Sequence, residues 1–374
     1  MTQIYLDYNA STPVDPRVLD VMIPLFKSHY ANPSSAHWAA GSSQAIISGA
    51  RKSVAARIGA APEEIVFTSG GSEANNHALK GTFDALAEKG THIITTAIEH
   101  PAVTTPCRAL AETRGATVTT VGVDETGTVN PQDIEDAISP DTILISVMHA
   151  NNETGAIQPI REIAAIARKH GVLLHTDAAQ SFGKVPVHVD ELGVDLLSMA
   201  GHKCYAPKGI GALYVRSGTP MDSLIHGAAH ESGRRAGTES VPLIAALGKA
   251  ADLAGASLDQ RDALASLRND FYKGLKALFN DRVTWNSQKA ELLPNTLNVS
   301  FHGYTGAGFL ERIPEIAAST GSACHSGIVE LSPVLDAMKV TEETGKGTVR
   351  FSLGTTTTEP EIRQALALIE ERFR

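Results

Sequence analysis

Ser198-Met199-Ala200-Gly201-His202-Lys203-Cys204-Tyr205-Ala206-Pro207-Lys208-Gly209-Ile210-Gly211-Ala212-Leu213-Tyr214-Val215 decides how the rest of this chain is read. Two short apolar runs, 194–199 and 210–215, have the length and β-prone composition of strands, and the elbow between them contains the Gly and Pro of a tight turn. Lys203 stands in that elbow beside His202. A lysine held between two buried strands, with glycines that let another molecule approach, is placed to lose its proton and attack a carbonyl. A turn lysine on its own is ordinarily a solvated surface group. The assignment therefore depends on what the neighbouring segments deliver.

Working outward, five more β-branched runs precede the elbow, at 65–68, 92–96, 117–121, 142–148 and 172–176, and helical patterns separate them. That alternation predicts an α/β fold with a mainly parallel seven-stranded sheet covered on both faces. Ligands of such sheets bind beyond the carboxyl ends of the strands, and the polar residues cluster there. Thr68-Ser69-Gly70-Gly71-Ser72-Glu73-Ala74-Asn75 leaves a strand and opens a helix, bringing backbone N–H groups, the Ser72 hydroxyl and the helix dipole to an anion-sized site. Glu99-His100-Pro101 supplies an imidazole, Asn151-Asn152-Glu153-Thr154-Gly155 two amides, and His175-Thr176-Asp177-Ala178-Ala179-Gln180 a carboxylate and an amide. Taken singly, each is as easily a cap or a turn; Asp177, for one, could simply cap the next helix. Together with Lys203 they form the set that a pyridoxal ring requires: a carboxylate for its nitrogen, a donor for its phenolic oxygen, a flat side chain, a phosphate cradle and an amine.

Composition narrows the function classes. With 43% hydrophobic and 20% charged residues in 374, the chain reads as a globular protein able to bury a large core. A net charge of −9 without a basic run argues against a nucleic-acid surface. No apolar stretch is read as reaching the roughly 18 residues of a membrane span, and the first residues lack a signal-peptide pattern. The reading is a cytoplasmic protein. Three cysteines, Cys107, Cys204 and Cys324, do not make a disulfide framework. His226 and His230 have metal-pair spacing, but Gly227 and Gly233 argue against a helix and no third ligand is evident, so no metal site is expected.

At the start of the chain, 5–10 reads as a strand-like entry, 17–29 as an amphipathic helix and Asn32-Pro33-Ser34-Ser35 as a turn. Helical patterns at 242–256 and 258–278 carry the chain out of the large unit. After Pro294 an α+β unit follows, with strands at 296–301 and 348–353, a helix near 307–313 and a last helix from Pro360. The expected division is a large cofactor-binding domain at 13–256 and a small domain made of 1–12 and 257–374. The segment 318–332 reads as a long loop, and Gly321-Ser322-Ala323-Cys324-His325 places a thiol among small residues on it, free to ionise and travel. Cys107 and Cys204 read as packing residues.

These motifs together resemble the class V aminotransferase branch of the fold-type I pyridoxal-phosphate enzymes, and within it the cysteine desulfurases and related selenocysteine lyases. The likeness runs from Tyr5-Leu6-Asp7-Tyr8-Asn9-Ala10 to Arg350-Phe351-Ser352-Leu353-Gly354. It implies that Lys203 carries pyridoxal 5'-phosphate covalently and acts with His100 and Cys324 in catalysis. Asp177 would pair with the ring nitrogen, Asn152 and Gln180 would flank the phenolic oxygen, and His100 would stack on the ring. Gly71, Ser72 and His202 would hold the phosphate, with Thr238 reaching in from the partner subunit of a homodimer. Asn32 and Arg350 would bind the substrate carboxylate. Cys324 would take sulfur from L-cysteine, leave alanine and pass the persulfide sulfur to an acceptor protein.

The pattern departs from the commoner desulfurases at Ala200, where a serine is frequent, at Ala206, where glycine is usual, and at Thr355, where an arginine often stands. The missing hydroxyl at Ala200 removes one neutral hydrogen bond, worth about 0.5–1.5 kcal/mol. Pro101 follows the histidine where desulfurases often have a basic residue and lyases an acidic one. Cys324-His325-Ser326 and Gly237-Thr238-Glu239-Ser240 lean toward the lyases, so selenocysteine stays open as the alternative substrate. An aminotransferase would have no use for Cys324, and a non-catalytic scaffold none for Lys203, Asp177, His100 and Cys324 together.

Overall fold

The computed structural model describes residues 3–325 and 328–374, with side chains outside 322–330. Its large sheet has seven strands: β1 Ile65–Thr68, β2 His92–Thr96, β3 Thr117–Val121, β4 Thr142–Ser146, β5 Leu173–Asp177, β6 Leu196–Ala200 and β7 Gly211–Val215. They lie in the order β1-β7-β6-β5-β4-β2-β3. The pairs β2–β3, β2–β4, β4–β5 and β5–β6 are parallel, while β7 runs antiparallel to both β6 and β1. The expected α/β sheet is therefore present, with one reversed strand. Being antiparallel to a common neighbour makes β1 and β6 point the same way. The carboxyl ends of β1, β2, β4, β5 and β6 consequently meet at one edge, where β7 begins. All but the edge strand β3 are buried almost throughout, which accounts for their continuous apolar runs.

Gly211 opens β7 at a point where only glycine fits. A Cβ there would lie 2.5 Å from the Met199 carbonyl oxygen and 2.7 Å from the Gly70 Cα. Its absence lets the Ser69–Gly71 turn close onto the end of β6, next to the elbow that carries Lys203.

The helix Val241–Asp259 corrects one reading of the sequence. Its 19 residues have a mean hydropathy of 1.3 and are long and apolar enough to cross a membrane. Its small residues instead pack it against the helices Gly41–Ile58 and Pro16–Ser28. Gly248 comes so near the first of these that an added Cβ would sit 2.6 Å from the Ala50 Cα. Ile244, Leu247, Ala250 and Ala251 are buried in the core of the large sheet. Contact with a neighbouring helix explains the apolarity.

A second core surrounds an antiparallel four-stranded sheet, in the order Ser319–Thr320, Thr348–Ser352, Thr296–Phe301, Val283–Trp285. Phe271, Phe279, Phe301, Phe309 and Phe351 fill it beneath the helices Arg261–Phe279 and Glu359–Phe373. Ile4 and Leu6 belong to this core, because Ile4–Tyr5 pairs in parallel with Ile316–Ala317. The segment 318–332, expected to be a loop, is mostly strand: after Ser319–Thr320, Ser322–His325 pairs antiparallel with Ile328–Leu331. Ile328, Val329 and Leu331 are good strand formers, and the small residues at 321–323 hide the hairpin's first half in the sequence. Beyond it the helix Pro333–Ala337 sets Val334 and Leu335, with Met338, against Ile98 and Met148 at the ligand edge of the large sheet.

Candidate active site

Lys203 ends a short 3-10 turn, Gly201–Lys203, directly after β6. Its Nζ donates to the main-chain oxygens of Asn9 at 2.6 Å and Ala10 at 2.8 Å. Burial, followed by the nearby Arg350 guanidinium, brings its amine down to about 8. At neutral pH an appreciable fraction is thus the free amine that attack on a carbonyl needs, whereas an exposed lysine would be almost wholly protonated.

The remaining strand ends converge on the same cavity, whose volume is about 650 Å³. Asp177 closes β5, and its Oδ2 accepts from the Asn75 side-chain amide at 2.7 Å, while Oδ1 accepts from Ala179 N at 2.9 Å. Asn75 is fully buried one turn into the helix Gly71–Leu86. Its hydrogen bond fixes the orientation of the Asp177 carboxylate. His100 caps the helix Pro101–Arg114, its Nδ1 accepting from Ala102 N at 3.0 Å, which leaves the ring proton on Nε2. Burial holds this imidazole below its ordinary pKa, so the ring is neutral. Burial, with Lys203, Lys208 and His100 nearby, similarly brings His202 to about 4.

Gly71 is the first residue of its helix, whose first-turn N–H groups have no intrahelical acceptors. A Cβ on Gly71 would meet the Ala200 Cβ at 3.2 Å, so these two small residues shape the floor of the cradle. Glu73 stands just behind. Burial works against its ionisation, but hydrogen bonds from Arg235 at 2.8 Å and Ser69 N at 2.8 Å hold its carboxyl below the ordinary range.

Arg350 reaches the cavity from the small sheet, donating to Asp7 Oδ1 and the Asn152 main-chain oxygen at 2.8 and 2.9 Å. It donates as well to Ser319 Oγ at 3.0 Å, while its Nε is buried without a partner. Gln180 lines the cavity with its amide already engaged: Nε2 donates to the Asn9 oxygen at 2.9 Å and Oε1 accepts from Lys184 at 2.7 Å. Two expected residues are absent from the described lining within one chain. Asn32 is turned into a local Asx turn, its Oδ1 accepting from Ser34 N at 2.9 Å. Thr238 instead borders a separate cavity of about 150 Å³ with Ser69 and Gly209. The side chain of Cys324 lies outside the described residues. Cys107 and Cys204 are buried, and burial pushes both thiols up to about 12.

Sequence reasoning missed four residues of this neighbourhood. Asn9 is a hub: its Nδ2 donates to Thr296 Oγ1 at 2.8 Å, its Oδ1 accepts from Asn295 and Lys184, and its main-chain oxygen accepts from Lys203 and Gln180. Asn75 and Lys184 are recognisable only after folding. Glu99, quoted in a motif but given no role, is buried beside the site, its Oε1 accepting from Thr96 Oγ1 and Met148 N at 2.8 Å each.

Burial pushes Glu99 up to about 8 from 4.5. Between those values the folded chain keeps a proton that the unfolded chain has released, so this group's contribution to stability falls as pH rises through that window. Glu99→Gln mimics the protonated acid. It is expected to melt with the parent near pH 4.5 and to become more stable than the parent toward pH 8, by about 2–4 kcal/mol. Thermal melts of both proteins across that range provide the check, and a constant difference with pH would refute the assignment.

The matching family model is that of the class-V aminotransferases, over residues 4–365. The chain belongs to this family. It is 45% identical over 371 residues to a cysteine desulfurase IscS of Dictyoglomus turgidum, covering 98% of this chain and 94% of that one. It is 44% identical over 371 residues to the cysteine desulfurase IscS of Methanosarcina thermophila, covering 98% and 91%. Among solved structures, a NifS-like protein superposes with a TM-score of 0.92 at 36% identity over 99% of both chains. SspA in complex with cysteine superposes at 0.83, with 41% identity over 94% of this chain and 99% of that one. The cofactor of the family, pyridoxal phosphate, suits the residues present: a half-buried amine of lowered pKa, a fixed carboxylate, a neutral imidazole and a helix N-terminus whose first residue leaves room for an anion.

Proposed function

We propose that this enzyme is a cysteine desulfurase, which takes sulfur from L-cysteine to give alanine and a persulfide on Cys324 for transfer to an acceptor protein. The observation that carries the reading is Lys203, an amine of lowered pKa at a five-strand convergence that also holds Asp177 and His100. Sequence identity to named desulfurases over nearly the whole chain supports cysteine as substrate. Lys203 would hold pyridoxal phosphate covalently, Asp177 would face its ring nitrogen, and His100 would lie on its ring. Asn152 and Gln180 would flank its phenolic oxygen, and Gly71, Ser72 and His202 would take its phosphate. When bound, the cofactor supplies an electron sink for the charge left on Cα.

The chain's own groups do the rest. Arg350 and Asn32 would bind the substrate carboxylate. The Lys203 Nζ, as a free amine, would take the Cα proton. The Cys324 thiolate then attacks the substrate sulfur: the new S–S bond forms as the C–S bond breaks, its electron pair stays on the carbon fragment, and protonation of that fragment yields alanine. The division into 13–256 and 1–12 with 257–374, each part around its own core, is included in this proposal.

A homodimer completed by Thr238 of each subunit forms part of the same reading, as does a cytoplasmic location. Ile23, Phe26, Tyr30 and Trp38 are exposed, Trp38 at 89%, in and just beyond the first helix, as expected of a surface that a second copy covers. The purified protein should weigh two chains in solution and produce equimolar alanine and sulfide from cysteine in the presence of a reductant. Selenocysteine assayed in parallel decides between the two substrates. Alanine from selenocysteine alone, or full activity at the mass of one chain, would sink the corresponding part of the proposal.

A further inference from the structure

A carboxylate stands where the large sheet leaves room for an anion. Glu73 is the third residue of the helix Gly71–Leu86, and it borders the cavity of about 650 Å³ together with Ser69, Gly71 and Ser72. Its Oε2 accepts from Ser69 N at 2.8 Å, tying the turn before the helix to the helix's first turn. Besides Asp177, which Asn75 holds at the end of β5, Glu73 is the only acid among the described lining residues. A negative charge in the first turn complements the helix dipole by itself and repels a second anion brought to the same end.

The counter-charge comes from a loop far along the sequence. Arg235 donates from Nε to Glu73 Oε1 at 2.8 Å and from Nη2 to Oε2 at 3.3 Å, with both side chains mostly buried. Against the cost of burial, these bonds and the one from Ser69 keep Glu73 ionised. The loop is built to hold the guanidinium there. Upstream, Glu231, Ser232 and Gly233 have φ of 47°, 59° and 82°, a conformation unfavourable to the first two and kept only where the surroundings enforce it. The buried Glu231 carboxylate enforces it, accepting from Arg51 Nη1 and Nη2 at 2.7 and 2.8 Å and from Phe67 N of the edge strand β1 at 2.9 Å. Downstream, Gly237 has a φ of 118°, and a Cβ there would lie 3.0 Å from Arg235 Nη1. Glu231 and Glu239 are the other carboxylates near Arg235, and the first is taken by Arg51.

We propose that Arg235 is a positioning residue for the phosphate cradle: it offsets the Glu73 charge and fixes that side chain on Ser69, so the helix end can take an anion despite a carboxylate in its first turn. The proposal deepens the reading of Gly71 and Ser72 as the phosphate site and rests on it. An Arg235 that merely tied the loop down would affect melting without changing the preference for a phosphorylated ligand.

The test measures binding of pyridoxal phosphate and of pyridoxal to the full-length chain freed of cofactor, by equilibrium dialysis. Both ligands offer the same aldehyde to Lys203, so the ratio of their dissociation constants reports the phosphate. Arg235→Met should raise the constant for pyridoxal phosphate about tenfold and leave that for pyridoxal within about twofold of the parent. Glu73→Gln keeps an acceptor for Ser69 N without the charge, and should bind pyridoxal phosphate at least as tightly as the parent. The double variant should recover the affinity lost in Arg235→Met, to within about threefold of the parent. If Arg235→Met does not melt cooperatively, Arg235→Gln takes its place. An unchanged ratio in the Arg235 variant, weaker binding by Glu73→Gln, or a double variant no better than Arg235→Met overturns the proposal. A parent that binds the two ligands equally would remove the cradle itself, whereas a parent preference that the variants leave intact counts against Arg235 alone.

Discussion

Cys324→Ala is expected to release alanine from cysteine at no more than about one-thousandth of the parent rate while loading cofactor normally. Sulfur bound to carbon leaves poorly unless a nucleophile takes it, and neither of the other thiols can replace the one removed. Cys107 and Cys204 are buried, and each is held far from ionisation by thiols pushed up to about 12. The Sγ of Cys204 also lies against the Gly201 main-chain oxygen at 3.3 Å, inside the elbow. The hairpin bearing Cys324 is fastened at its exit, where Ser332 Oγ donates to Glu153 Oε2 at 2.5 Å and Leu335 packs with Ile98 and Met148. Glu153 directly follows Asn152, which lines the cavity together with Met148. Selenium is expelled more easily, so part of the alanine yield from selenocysteine should survive in the variant. After brief exposure of the parent to cysteine, mass spectrometry should find an additional sulfur on the peptide containing Cys324. Finding it on Cys204, or full desulfuration by Cys324→Ala, would remove this residue from the mechanism.

Lys203→Ala should be as inactive, by at least about 10³-fold, for a different reason: it removes both the covalent attachment and the group that moves the Cα proton. The cradle at Gly71 and the Asp177 carboxylate remain, so the variant should still take up pyridoxal phosphate, reversibly. Lys184 does not substitute, being engaged with Asn9 and Gln180 away from the cavity lining. Borohydride reduction of the loaded parent followed by peptide mapping should mark Lys203 alone. In the absence of substrate, the rate of loading should climb as pH rises through about 8, where the Lys203 amine loses its proton. A label on another lysine, or a variant that turns over cysteine, contradicts the assignment.

The strands were legible because each is a short buried run of β-branched and aliphatic residues, and the polar groups at their ends were legible because a parallel sheet leaves only that edge for them. Lys203, Asp177, His100 and Gly71 could thus be brought together before any coordinates existed. Asn9 could not. An asparagine in the turn after a short entry strand has no local pattern, and its importance arises from partners at 152, 184, 203, 295 and 296. Asn75 and Lys184 were invisible for the same reason, since nothing in a helix or a turn announces that a neutral amide will meet a carboxylate 102 positions away. The hairpin at 322–331 was hidden by its composition: small residues suit a loop as well as a strand, and pairing decided between them. The helix Val241–Asp259 was legible as a helical pattern at 242–256, but its apolar length was underread, and what that apolarity packs against emerges only in the fold.

The seating of the entry strand also bears on how the protein is made. Ile4 pairs with Ile316, Asp7 with Ser352, and Tyr8 N bonds the Ser352 oxygen at 3.2 Å, so the entry strand finds its partners about 300 residues or more further along the chain. At about 5–20 residues per second, the entry strand waits roughly 20–70 s for them. The large sheet, complete by Val215, can form in the meantime. Its Lys203 elbow then has neither the Asn9 nor the Ala10 oxygen, nor Arg350, until the carboxyl-terminal third is translated. A nascent chain can therefore carry a folded cofactor half before it has a tuned amine, and competence for chemistry waits on the small sheet.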